Sequence, residues 1–295
     1  MPGLPSFFSR LVSEPPPELV YEISETGIAM VRLSQPAHVQ FQALEPGVIA
    51  ASPVHDNVLL PDALADAVRA VTPAGNARRR RVVLLLPDYA ARVSVLDFDQ
   101  IPDDPDERQA LVRFRMKKSV PFDMESAALS YSVQGGAAGV PGVSVVAAVS
   151  PIEIIARYEA PFRALNLHPG IVSLSFLSAL NLAPVSAAIT LFVKLSGRAL
   201  TVVVLRNGQL QLIRSIEIEA LSLAEIANDL FPTVVYTEDH FGSRAAELLI
   251  CGFGGMEREA INYFETSLEI KVRALSTRDA GLAGYIGAAG QKAAA

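Results

Sequence analysis

Residue types that commonly carry chemistry are sparse in this chain and rarely grouped. Its four histidines, His38, His55, His168 and His240, stand apart, and none has a second histidine or a cysteine at metal-ligand spacing. The single cysteine, Cys251, has no internal disulfide partner and reads as a small buried residue. No GxSxG nucleophile elbow occurs. Arg78 to Arg81 form a basic run, but they precede an apolar strand and lack interleaved aromatics, so a solvated connection is expected rather than a nucleic-acid site. Asp103 and Asp104 stand at a helix start, where capping accounts for them. His168, ahead of Pro169, reads as a loop residue. What remains is the glycine-bearing segment CGFGG at 251–255, which plain turn chemistry also explains.

Composition narrows the field further. The chain's 295 residues suffice for two packed cores. Lys and Arg number 25 against 31 Asp and Glu, a formal charge of −6, so the chain as a whole does not attract nucleic acid or anionic lipid. Any such contact must be local. The start of the chain lacks a secretory pattern, and a cytoplasmic location follows as an expectation. Mean hydropathy is high at +0.33, which raises the question of a membrane span. The stretch from Ala164 to Val193 has no charged residue and is long enough. His168-Pro169-Gly170, Asn181 and Pro184 divide it, and strand, helix and strand are predicted instead of a transmembrane segment.

These residues need a framework to position them, and the order of elements supplies one. Residues 1–18, with three consecutive prolines near their end, are expected to be a flexible tail. From Leu19 short strands follow, then a helix from Pro61 to about Val71 with Leu64, Ala67, Val68 and Val71 on one face. The strand VVLLLP, the strand ARVSVLDF and a helix over 103–119 come next. That helix carries acids first and Arg113, Arg115, Lys117 and Lys118 last, the order its dipole favours. The strands ALSYSVQ and VSVVAAVS flank a glycine-rich turn at 135–142, and a helix from about Pro151 to Leu165 follows. The second half opens with three strands, the last two joined by the hairpin signal Asn207-Gly208. Ser222 and Glu225 form a capping-box pattern at the head of a helix that Pro232 should break or kink. Strand, helix, strand and a small-residue helix over Ala280 to Ala289 close the chain.

This succession resembles the actin-like ATPase superfamily and, more narrowly, the type IV pilus assembly protein PilM family, a relative of the division protein FtsA. The resemblance runs from about Leu19 to Gly290. It is carried by VVLLLPDYAARVSVLDF, KKSVPFDMES, VSVVAAVSPIEII, ALNLHPGIVSLSFLSAL, LTVVVLRNGQLQLIRSIE and the closing AGLAGYIGAAG, in that order. It implies a duplicated actin-like (ribonuclease H-like) two-lobe α/β fold with a small inserted β/α subdomain. The first lobe would span 19–186 with the insert at about 82–149, and the second lobe 187–278. A C-terminal helix within 279–295 would return to the first lobe.

The resemblance also implies where nucleotide chemistry would reside, and this chain departs from it there. The family's first phosphate turn resembles DIGSSSVK. Here EISETGIA places Glu22 at the acidic position, Ser24 at the glycine, an extra Glu25 facing the phosphates, and Ala29 at the lysine. In the second hairpin, Lys194 takes the aspartate position and Ser196 the glycine. The adenosine motif keeps Gly252, Gly254 and Gly255 with Phe253 inserted. The expectation is a pseudo-ATPase with no catalytic residue, no metal and no cofactor; the alternative is an active actin-like ATPase of pilus or type II secretion machinery that binds ATP with magnesium. The implied role is a scaffold on the cytoplasmic face of an inner membrane. It would bind the cytoplasmic N-terminal peptide of a PilN-like bitopic protein, alongside a PilO-like protein and a motor ATPase, in a groove between first lobe and insert. Pro121 and Phe122 are the candidate contact residues within the insert.

Overall fold

Strict alternation of side chains about β1 (Leu19–Ser24) organises the first lobe. Leu19, Tyr21 and Ile23 enter one core, and Val20 enters another on the opposite face. A computed structural model describes residues 17–74, 79–134, 142–219, 221–276 and 279–294. Most of the expected tail and of the glycine-rich turn, together with Arg78, lie outside the described residues.

The first sheet has the order β3-β2-β1-β4-β8. β2 (Gly27–Arg32) and β3 (Val39–Ala43) run antiparallel beside β1, while β4 (Arg80–Leu86) and β8 (Leu167–Leu174) lie parallel on its other side. One face is covered by α1 (Pro61–Val71) and α3 (Ile152–Ala164), which bring Leu64, Val68, Tyr158 and Phe162 into the larger core. The predicted α1 face, Leu64, Ala67, Val68 and Val71, is buried in full.

The second sheet repeats this order as β11-β10-β9-β12-β13. It is formed by β9 (Thr190–Ser196), β10 (Ala199–Arg206), β11 (Gln209–Glu217), β12 (Glu247–Cys251) and β13 (Lys271–Ser276). Asn207 and Gly208 both have positive φ in the β10–β11 turn, as their hairpin signal predicts. Two sheets of the same strand order make the duplicated two-lobe α/β architecture. The core helices of the second lobe are α5 (Leu223–Phe241) and α6 (Glu257–Leu268).

The insert is a separate three-stranded sheet, β5-β7-β6, built from β5 (Arg92–Phe98), β6 (Ala127–Gln134) and β7 (Val143–Pro151). α2 (Pro105–Lys117) packs on it through Val112 and Met116. Asp104 caps α2, accepting from the N–H groups of Asp106 and Glu107 at 3.0 Å. Because β4 pairs with β1 and β8, the insert begins at Arg92 rather than at Val82. The chain closes with the short α4 (Ser175–Ala179), which precedes β9, and the terminal α7 (Ala280–Ala294). α7 lies on the first lobe, where Leu282 packs with Val20, Val83 and Leu85.

Several local expectations are corrected. His168, Pro169 and Gly170 lie within β8, not in a loop; the strand is at the sheet edge and bulges at Gly170, so proline costs no central ladder bond. Arg80 and Arg81 open β4 instead of forming part of a solvated connection. Ser222 is the N-cap of α5 but makes no side-chain capping bond. α5 continues through Pro232 because both that residue and Asn228, whose carbonyl loses its donor, are exposed to water, while Leu230, Thr233 and Val234 anchor the helix in the core.

Candidate functional site

The ends of β1, β9 and β12 and the turns that follow them face one another across the cleft between the lobes. This cavity of about 380 Å³ is lined by Glu22, Ser24, Ala29, Lys194, Ser196 and Gly252, among others. The eight expected nucleotide-site positions come from three distant parts of the sequence, and seven of them, Glu22, Ser24, Ala29, Lys194, Ser196, Gly252 and Gly254, line this cleft, whereas Phe253 does not. Their chemistry differs from what spacing suggests.

Glu22 is 7% exposed and serves the C-terminal helix. Its carboxylate accepts from the backbone N–H of Leu282 at 2.8 Å and of Gly281 at 3.3 Å, at the first turn of α7, and from the Ser175 hydroxyl. An acid satisfying helix N-terminal donors is favourable electrostatics. The close approach also explains Gly281, where a Cβ would crowd both Ser175 and Glu22.

Lys194 is 3% exposed and points from the second lobe to the first. Its Nζ lies 2.9 Å from Asp88 Oδ2 and 3.9 Å from Glu22. Asp88, which immediately follows β4 and Pro87, is fully buried and also accepts from the Phe176 N–H at 2.8 Å. Burial alone would depress the Lys194 pKa, but the facing Asp88 and Glu22 carboxylates outweigh it and raise the value. The same burial pushes the neighbouring Cys251 thiol up to about 12, with Lys194 opposing and Asp88, Glu22 and Glu257 reinforcing the shift.

The turns are likewise self-satisfied. Ser24 accepts from the Gly27 N–H at 3.2 Å, closing the β1–β2 turn. Glu25 does not present a bare charge to the cleft: it accepts from Ala51 N–H at 2.9 Å and, across the lobes, from Arg198 N–H at 3.0 Å, packing against Gly197. Ala29 is buried in the small core beneath α7. Gly252 has φ of +82°, and a Cβ there would collide with the Leu195 carbonyl, so strand packing alone demands glycine. Phe253 turns into the second core, with its ring 5.7 Å from Phe264.

A second concavity of about 300 Å³ separates the first lobe from the insert. Leu86, Leu129, Val149, Ile155, Leu174 and Leu177 make it largely apolar. Among the described residues β6 pairs only with β7 and β8 only with β4, so each contributes an outer edge without a strand partner there. Both edges border the groove through Ala128 to Ser130 and Val172 to Leu174. Pro121 and Phe122 do not line it; Phe122 packs against the insert's core and Pro121 is exposed. At the far end of β6, the Gln134 amide grips the edge strand of the second lobe, donating to Leu210 O at 2.8 Å and accepting from Leu210 N–H at 2.7 Å.

Asp88, Ser175 and Gln134 were not predicted as site residues. For Asp88 a usable signal exists, an acid just beyond a fully buried parallel strand; Ser175 and Gln134 have none in the local sequence.

Two repeated sheets, an interlobe cleft and an inserted β/α unit define an actin-like fold. No family model matches the chain, and no curated protein matches it by sequence. Among solved structures, it is similar to the PilM-PilN type IV pilus biogenesis complex at 18% identity, with 89% of each chain covered and a TM-score of 0.72. It is also similar to a Bacteroides thetaiotaomicron protein of actin-like ATPase fold and unknown function, at 9% identity, 91% and 94% coverage, and a TM-score of 0.58.

Proposed function

We propose that this protein is a non-catalytic actin-like scaffold of a type IV pilus inner-membrane assembly complex, and that the groove between its first lobe and insert holds the cytoplasmic N-terminal peptide of a PilN-like membrane protein. The observation that carries this reading is the apolar groove itself, bordered by two strand edges without strand partners among the described residues. An extended peptide can add to such an edge through main-chain hydrogen bonds while alternate side chains fill apolar pockets. The fold likeness to PilM in its complex with PilN agrees with it.

The cleft supports the non-catalytic half. Magnesium and phosphate would need free carboxylates and free backbone donors. Glu22 is engaged by α7, Asp88 by Lys194 and Phe176, and the Gly27 and Arg198 donors by Ser24 and Glu25. These residues do not fit a magnesium triphosphate. Peripheral placement at the cytoplasmic face of the inner membrane, beside a PilO-like protein and a motor ATPase, belongs to the same proposal. Among the described residues no helix is long and apolar enough to cross a membrane.

The test is a titration of the full chain with a fluorescent N-terminal peptide of a PilN-like protein. Saturable binding is expected, weakened at least ~10-fold by Leu129→Arg or Leu177→Glu in folded variants. Equal binding by these variants would place the peptide elsewhere.

A further inference from the structure

A cavity of about 550 Å³, larger than the cleft or the groove, adjoins the groove at Leu177. Leu174, Leu177 and Leu180 recur every third residue along α4 and the 3₁₀ turn that continues it, so they sit on neighbouring turns of one helical surface. Leu174 lines the groove, Leu180 lines the cavity, and Leu177 lines both. The cavity lies where the connection from α4 to β9 meets the β10–β11 hairpin, with Pro184, Val185, Thr190, Leu205 and Leu210 among its walls. On the insert's side, Gln134 ties β6, a wall of the groove, to Leu210, a wall of the cavity.

The chemistry of the cavity matches that of the groove in one respect and adds to it in another. No Asp, Glu, Lys, Arg or His lines either one, so a charged side chain entering them would lose water and gain no opposite charge. Thr190 is 4% exposed and stands directly opposite Leu205 in the β9–β10 pairing, so the two side chains share a sheet face, and both line the cavity. Among the described residues the Thr190 hydroxyl makes no hydrogen bond. Buried hydroxyls are ordinarily paired, and nothing in the packing of the two lobes supplies this one.

We infer that the peptide held by the groove continues past Leu177 into this cavity and places there an uncharged side chain that hydrogen-bonds to Thr190. The inference rests on the groove reading and extends it, because recognition then involves the second lobe as well as the first lobe and insert. The continuation of the same peptide is the occupant because the leucine row leads into the cavity from a groove bordered by strand edges. From Leu174 to Leu180 that row advances about 10 Å, which an extended chain covers in about three residues.

The test uses the full chain and the N-terminal peptide of a PilN-like protein carrying a photoreactive diazirine at one position at a time. Positions that crosslink to Leu129 or Leu174 should be followed, about three residues along, by positions that crosslink to residues 180–186. Thr190→Val keeps the side-chain shape and should weaken peptide binding about 5-fold, the loss of one hydrogen bond. It should not lower the melting temperature, since the hydroxyl it removes is unpaired in the free protein. Ala183→Trp, which fills the cavity, should weaken binding at least ~10-fold. Crosslinks confined to the groove, together with wild-type affinity in Thr190→Val, overturn the inference and leave the groove reading intact. A lowered melting temperature for Thr190→Val also overturns it, because the hydroxyl then serves the fold. Absence of saturable binding to the wild type, or binding indifferent to Leu129→Arg, overturns the groove reading and this inference with it.

Discussion

Replacing Lys194 with methionine removes a buried cation that joins the lobes at the base of the cleft. Asp88 is fully buried and Glu22 nearly so, with Lys194 Nζ at 2.9 and 3.9 Å. Methionine fills the space, so packing changes little, but among the described residues Asp88 keeps only the Phe176 N–H. Stranding a buried carboxylate in this way costs about 3–5 kcal/mol. For a chain of this size the melting temperature should fall on the order of 10 °C. Urea denaturation and thermal melts followed by circular dichroism measure both quantities. The double variant Lys194→Met/Asp88→Asn keeps the acceptor for Phe176 without the charge and should recover at least half of the loss. The pH dependence has a definite sign. Because the folded pKa of Lys194 is raised, its contribution is fully present below the unfolded value of about 10.4 and is lost as pH climbs through the folded one. Tyr21, pushed by burial up to about 12, also contributes a loss of stability at alkaline pH, but in both proteins, so their difference reports Lys194 together with its effect on the neighbouring Cys251 thiol. A loss below about 1 kcal/mol, or a double variant no better than the single one, would refute the reasoning.

Three further outcomes are expected. Cys251, fully buried with its thiol raised to about 12, should resist alkylation at pH 8 until the chain is denatured, and Lys194→Met should speed the reaction by loosening the cleft. Gly252→Ala, forced into positive φ against the Leu195 carbonyl, should destabilise by at least ~2 kcal/mol in the same melts. Gln134→Ala strips two hydrogen bonds that tie the insert to the second lobe and should cost about 1–2 kcal/mol; a dye pair placed across that contact should report a broader distance distribution.

The architecture was largely legible because periodicity and turn chemistry act locally. Leu64, Ala67, Val68 and Val71 announce their helix face, Asn207-Gly208 its hairpin, and Asp104 its cap, each within a few residues. Prolines and histidine misled where tertiary context prevailed: an edge strand accepts Pro169, and an exposed helix face accepts Pro232. The cleft was legible as a set of positions but not as a network. Nothing near Glu22 reveals that its partners are Gly281 and Leu282 near the other terminus, or that Lys194 would meet Asp88. Glu25, read as a charge facing phosphates, instead occupies the Arg198 donor. Those pairings depend on how two sheets face each other, which pattern within either sheet does not encode.

Calorimetric titration of the full chain with magnesium ATP tests most directly the central claim, that the cleft satisfies its own charges and donors and leaves docking to the groove. The account predicts no saturable heat and no phosphate release, with peptide binding unaffected by the nucleotide. Micromolar binding lost on changing Gly254, whose Cβ position opens onto free space in the cleft, to a bulky residue would contradict it.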